Sequence, residues 1–161
     1  GITGSIVPDD EFELKSWRTL LDVNLNGVFL GCRATIPHMI SAGGGSVVNI
    51  ASVAALNAVP GAAFGYQASK AAVRMLTKSL AVRYGPHGVR VNSVHPGFMP
   101  PMSGGSAPQP ERADLVPMRR IGEVTDIASA VLHLVSPASR YVTGSDLVVD
   151  GGLSSQIPMP R

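Results

Sequence analysis

Apolar positions recur at helical spacing in three stretches of the chain and crowd into short runs in three others. From about Glu11 to Ile40, the series Trp17, Leu20, Leu21, Asn24, Leu25, Val28, Phe29, Cys32, Ile36 and Met39 predicts one long helix. Asn24 falls on that stripe, so its amide is expected to be buried and must find partners. Asn24-Leu-Asn-Gly27 is a poor helix interior and allows a kink. Two readings stand for Asn24: a satisfied structural amide, or part of a kinked backbone that holds a water near an active site. A second helix is predicted from Gly65 to Tyr84, with the stripe Val73, Leu76, Leu80 and Tyr84, stopped by Gly85-Pro86. A third carries Val124, Ile127, Ala128, Val131, Leu134 and Val135 and stops at Ser136-Pro137.

The short runs read as strands of the buried type: Ser46 to Ile50, Val89 to Val94, and Asp146 to Asp150. The second runs into His95-Pro-Gly97, a sharp stop. Gly43-Gly-Gly45 and Pro60-Gly61 mark turns, and Thr3-Gly-Ser5 and Pro8-Asp-Asp10 read as loop. Residues 98–118 form a long loop with a helical turn near Glu111 to Leu115; loops of this length tend to be lids or binding loops. Strand, helix, strand, helix, strand is the order of a parallel α/β sheet. No internal repeat or linker divides the 161 residues, which read as one domain.

Composition narrows the partners. Apolar residues make up 45% and charged residues 15% of the chain, as in a well-buried globular protein. A net charge of +2 with scattered basic residues argues against nucleic acid. Arg33 interrupts the longest apolar candidate, so no membrane span is expected, and no secretory leader opens the chain. The single cysteine, Cys32, excludes an internal disulfide, suits a reducing compartment such as the cytoplasm, and is expected in the core. His38, His87, His95 and His133 lack ligand spacing, so no metal site is expected.

Tyr66 and Lys70 stand one helical turn apart and share a face. A lysine held near a tyrosine favours the phenolate, so the pair suits proton exchange with an alcohol or carbonyl at neutral pH. The same spacing also arises in solvated pairs. Ser52 follows the first strand at its carboxyl end, where open α/β sheets bind ligands. His95 ends the second strand and reads either as structural or as a substrate contact. Met99, Met102 and Met118 read as packing, or as the lining of an adaptable apolar pocket.

Six segments, in order, resemble the carboxyl-terminal two thirds of a short-chain dehydrogenase/reductase. They are Asp22-Val-Asn-Leu-Asn-Gly27, Gly45-Ser-Val-Val-Asn-Ile-Ala-Ser52, Tyr66-Gln-Ala-Ser-Lys70, Val89-Arg-Val-Asn-Ser-Val-His-Pro-Gly97, Arg120-Ile-Gly122 and Thr143-Gly-Ser-Asp-Leu-Val-Val-Asp-Gly-Gly152. The resemblance implies a Rossmann-like doubly wound parallel sheet, incomplete for want of its first mononucleotide half, with residues 1–161 a single partial domain carrying the catalytic and substrate-binding half. It implies an NAD- or NADP-dependent oxidoreductase that interconverts a secondary alcohol and a ketone; the loop 98–118, apolar with Arg112, Arg119 and Arg120 near its end, motivates an apolar or cyclic substrate. Tyr66 would be the acid/base, Lys70 its activator and a ligand of the nicotinamide ribose, Ser52 the holder of the substrate oxygen, and Asn24 the anchor of a water beside Lys70. Ile50, Pro96, Gly97 and the backbone near Met99 would line the cofactor. A homodimer or homotetramer would form through the helices around residues 11–40 and 66–85.

The departures are specific. The glycine-rich phosphate turn and the residue that selects between NAD and NADP are absent, and Gly1 resembles the last glycine of the family's Asn-Asn-Ala-Gly segment. A fragment with an exposed apolar sheet edge is therefore expected, and the alternative reading is a catalytically inactive remnant that serves only in binding or assembly. Ser52 to Tyr66 is one residue longer than the family's spacing, and Pro100-Pro101 replaces a threonine expected after Pro-Gly. Relatives that eliminate halide carry arginine where Lys70 stands, so Lys70 argues for redox chemistry.

Overall fold

The computed structural model describes residues 1–3, 13–100 and 111–156. The loop readings at Gly4, Ser5 and Pro8-Asp-Asp10, and Met102 with its share of a pocket, lie outside them. Three parallel strands, β1 (Gly45–Ile50), β2 (Val89–Pro96) and β3 (Asp146–Val149), stand in the order β1-β2-β3. The helices are α1 (Leu14–Leu21), α2 (Gly27–Ser41), α3 (Phe64–Tyr84), α4 (Glu111–Asp114) and α5 (Val124–Val135).

The long first helix is continuous but not uniform. Its described part begins at Leu14, and Asp22–Asn26 forms a π-helical turn between α1 and α2, where the weak helix formers allow a kink. Leu20, Asn24, Cys32 and Ile36 face inward, as expected, and Cys32 lies in the core. Phe29 does not: the inward row repeats every four residues, which leaves Phe29, Leu30 and Val23 on the outer surface.

On α3 the buried row is Gly65, Ser69, Val73, Thr77 and Ala81, whereas Leu76, Leu80 and Tyr84 of the predicted stripe are only half-buried. The correction has a polar cause. Ser69 and Thr77 return their hydroxyl protons to the helix carbonyls of Tyr66 and Val73, at 2.7 and 2.8 Å. Their oxygens then accept from Asn24 and Asn49 at 3.2 and 2.9 Å, so the core face is hydrogen-bonded rather than oily. At Gly65 a Cβ would stand 2.9 Å from Leu20, so α1 crosses α3 in close contact there.

Cys32, Ile36, Ala81, Val89 and Val91 knit α2, α3 and β2 into the main core. Arg90 alternates with Val89 and Val91 and so leaves the opposite face of β2, where it donates to Ser136 at the end of α5. Helices thus cover both faces, the layering of an α/β domain. β2 runs on through Pro96, further than its sequence suggests, and Gly97 N–H donates to Val149 at 3.0 Å. Pro96 costs no bond at the strand's last position. β1, expected to be fully buried, is mostly half-buried with Ile50 at 42% exposure, because no described strand pairs with its outer edge. Among the described residues, no helix is long and apolar enough to cross a membrane.

Candidate active site

One row of α3 organises the site. Tyr66, Lys70, Arg74 and Lys78 repeat every four residues along one side of the helix; Lys70 reaches the carboxyl end of β1, and Arg74 and Lys78 reach the start of β3. Lys70 is 7% exposed. Its Nζ donates to the Ile50 carbonyl at 2.9 Å and lies 5.8 Å from the centre of the Tyr66 ring. Burial pushes the Lys70 ammonium below its ordinary pKa. Tyr66 is half-buried at the opening of the helix.

Asn24, projecting from the π turn, is 1% exposed and fully engaged. Its Oδ1 accepts from Ile2 N–H and its Nδ2 donates to Ile2 O, both at 2.8 Å, with Ser69 Oγ at 3.2 Å. The amide is satisfied by protein partners, as a structural amide requires, and the π turn supplies the irregular backbone expected beside Lys70. Gly1 lies directly over this pair. A Cβ there would stand 2.7 Å from Asn24 Oδ1 and 3.4 Å from Lys70 Nζ.

Ser52 caps the 3₁₀ turn Val53–Ala55, which packs against α3. Its Oγ accepts from Ala54 N–H at 3.1 Å, so the hydroxyl proton is free to donate elsewhere. Its carbonyl accepts from Ala55 N–H at 2.9 Å and faces His95 Nδ1 at the same distance.

His95 requires a correction. It is wholly buried, with Nδ1 against the Ser52 carbonyl and Nε2 2.9 Å from Ser93 Oγ, so it presents no atom to a substrate. Behind it, Ser93 Oγ donates to Asp146 Oδ1 at 3.0 Å, and Asp146 Oδ2 receives Arg74 and Lys78 at 2.8 and 3.0 Å. Burial alone would raise the Asp146 carboxyl, but bonds from Arg74, Lys78 and Ser93 outweigh it and bring its pKa to about 2.

Gly97 packs so tightly on the end of β3 that a Cβ would stand 2.7 Å from Asp150 Cβ. Met99, expected to lie near the cofactor, rests its sulfur against Gly122, within 2.6 Å of where a Cβ would be. A separate depression of about 450 Å³ is lined by Phe98, Met118, Arg120, Gly122 and Asp126, and neither Ser52, Tyr66 nor Lys70 borders it. The structure thus joins Lys70 to Ile50, two residues before Ser52, with the Tyr66 ring beside it and Asn24 bonded to Ser69 of the same helix; His95 touches Ser52 from behind, and the Met99 sulfur rests on Gly122. Sequence reasoning missed Asn49, Ser69, Arg74, Thr77, Ser93 and Asp146. The available signals were the four-residue row on α3 and polar residues inside otherwise apolar runs.

A family model described as enoyl-(acyl carrier protein) reductase matches residues 3–154. A 3-alpha-(or 20-beta)-hydroxysteroid dehydrogenase of Mycobacterium tuberculosis (strain ATCC 25618 / H37Rv) is 45% identical over 144 residues, covering 89% of this chain and 54% of its own length. A gluconate 5-dehydrogenase of Burkholderia cenocepacia J2315, solved with NADP and tartrate, superposes with a TM-score of 0.87 at 36% identity, covering 98% of this chain and 63% of that one. A short-chain type dehydrogenase/reductase of Mycobacterium marinum superposes with a TM-score of 0.84 at 33% identity, covering 95% and 62%. The chain spans between 54% and 64% of the length of the curated relatives it matches.

Proposed function

The chain belongs to the short-chain dehydrogenase/reductase family, and on that premise we propose that the protein containing it interconverts a secondary alcohol and a ketone with NAD or NADP. The observation that carries the reading is the placement of Lys70: buried, 5.8 Å from the Tyr66 ring, and held by the carbonyl of Ile50, two residues before Ser52. Among the described residues Lys70 spends one N–H group on Ile50, leaving two for the ribose hydroxyls of a cofactor. Glycine at position 1 keeps that ammonium approachable, so the residues fit the group. When bound, the nicotinamide supplies the two-electron chemistry that side chains lack.

In this reading Tyr66 Oη exchanges the proton of the substrate oxygen, and the nearby ammonium favours its negative charge. Ser52 Oγ, turned by its bond from Ala54, donates to the same oxygen as a preorganised partner. Ile50, Pro96, Gly97 and Met99 would line the nicotinamide side. Asn24 would act by holding Ile2 and the π turn in place beside Lys70. The hydroxysteroid dehydrogenase relative supports an apolar or cyclic alcohol. Residues 1–161 would be a single partial Rossmann-type domain of a cytoplasmic homodimer or homotetramer, assembled through the outer faces of α1, α2 and α3, where Leu14, Phe29, Leu30, Met75 and Val82 are exposed.

The test is oxidation of secondary alcohols and reduction of their ketones by the full-length protein, followed by nicotinamide absorbance with both cofactors. Wild type should turn over and Tyr66→Phe should lose at least about 100-fold in kcat. Turnover that survives Tyr66→Phe would refute the assignment. The outer edge of β1, unpaired among the described residues, favours a second reading, an inactive remnant that only binds or assembles. Cofactor binding by purified 1–161, abolished by Lys70→Ala, would count against it.

A further inference from the structure

His95 has no place among groups that touch substrate, yet its burial is built with care. A carbonyl oxygen only accepts, so the 2.9 Å contact to Ser52 requires that Nδ1 carry a proton and donate it. The other nitrogen is fixed by Ser93 Oγ at 2.9 Å, with Asp146 Oδ1 at 3.4 Å behind it. Asp146 is in turn gripped by Arg74 and Lys78. These two cations continue the α3 row that begins with Tyr66 and Lys70. An unbroken chain of polar contacts thus runs from the back of Ser52, through His95, Ser93 and Asp146, to the helix that carries the other two site residues.

We propose that His95 is a positioning residue for the proposed reaction: by donating to the Ser52 carbonyl it fixes the peptide that aims Ser52 Oγ, and the chain through Asp146 ties that aim to α3. The inference rests on the oxidoreductase reading above. Its physical basis is that Ser52 is pinned at two points. Ala54 N–H holds the hydroxyl oxygen and His95 with Ala55 N–H holds the carbonyl, so the extended backbone at φ −172° and ψ 159° has one orientation left. Removing the His95 donor leaves the carbonyl to Ala55 N–H alone, so the peptide can tilt about that bond and the hydroxyl moves with it. Misplacement of a reacting partner by about 1 Å costs on the order of 100-fold in rate.

The experiment compares His95→Asn, His95→Gln and His95→Phe in the full-length protein. The asparagine amide nitrogen stands where Nδ1 stands; the glutamine nitrogen reaches one bond further, toward Nε2. His95→Phe and His95→Gln should lose about 100-fold in kcat with KM and cofactor affinity within about threefold, while His95→Asn recovers most of the rate. Amide hydrogen exchange of peptides spanning residues 50–57 should follow the same order, protected in wild type and His95→Asn and faster in the other two. If His95→Phe does not fold, the Asn/Gln pair still decides. Equal kcat and equal exchange for Asn and Gln would overturn the role, as would wild-type behaviour of either Gln or Phe. Should wild type turn over no secondary alcohol, the functional reading fails, and the exchange order alone supports or overturns the hold of His95 on Ser52.

Discussion

Lys70 Nζ donates to the Ile50 carbonyl at 2.9 Å, binding the centre of the α3 row to the last residue of β1. The bond holds a cation in a nearly dry position, and two consequences follow for its replacement.

Lys70→Met should abolish turnover yet leave the fold more stable by up to about 1 kcal/mol at pH 7, because an apolar stem replaces a desolvated charge. The folded-state pKa of Lys70 is lowered by burial, so below it the charged form costs stability. That cost is relieved as pH rises through the lowered value toward the unfolded pKa of about 10.4. Urea midpoints at pH 7 and pH 10 should therefore show the advantage of Lys70→Met shrinking at the higher pH.

Asp146 has the opposite sign. Its folded pKa of about 2 lies below the unfolded value, so its stabilisation is present above about pH 4 and lost as pH falls toward 2. Asp146→Asn should cost about 2 kcal/mol at pH 7, trimmed by the partial exposure of Arg74, and almost nothing near pH 2. Denaturation midpoints of the two proteins that stayed apart below pH 2 would contradict the ion-pair account.

Thr77→Val keeps shape but strands the buried Asn49 amide, which donates to Thr77 Oγ1 at 2.9 Å. The expected loss is about 1–3 kcal/mol, whereas Thr77→Ser, which keeps the oxygen, should lose less than about 1 kcal/mol. Thermal melts of the two variants side by side separate hydroxyl from methyl.

Gly97→Ala forces a methyl group against Asp150 Cβ and Cα, at 2.7 and 2.8 Å. Backbone on the end of β3 must move, so a loss of about 1–3 kcal/mol is expected. Cofactor affinity should fall with it if Gly97 lines the nicotinamide; calorimetric titration with NADPH and NADH provides the check.

Much of this was legible in the residues. Period and punctuation placed α3, α5 and all three strands within a residue or two, and Gly43-Gly44 and Gly85-Pro86 mark their turns because backbone angle and missing donors are local properties. The weak helix formers at Asn24-Leu-Asn-Gly27 foretold an irregular helix, which the π turn supplies. What escaped is what depends on partners distant in the chain. Thr77 reads as solvent-facing until Asn49 is placed opposite it, and Leu80, read as core, packs against the core from its half-buried flank. His95 looked available to substrate because nothing in its neighbourhood of sequence reveals the Ser52 carbonyl, 43 residues away. Burial of β1 was overestimated for the same reason: an apolar run does not say whether it lies at a sheet's centre or its edge.

The π turn also solves a problem of angular drift. Leu20, Asn24, Cys32 and Ile36 all face the interior, yet residues four apart on a regular α-helix fall about 40° out of line with each step. Over the sixteen residues from Leu20 to Ile36 that drift would carry the row halfway round the cylinder. The wider turn at Asp22–Asn26 winds more slowly and returns part of the lost angle. One residue deleted within it would turn α1 by about 100° relative to α2. Leu20 would then leave Gly65, and Asn24 would swing away from Ile2, although no side chain of the site had been changed.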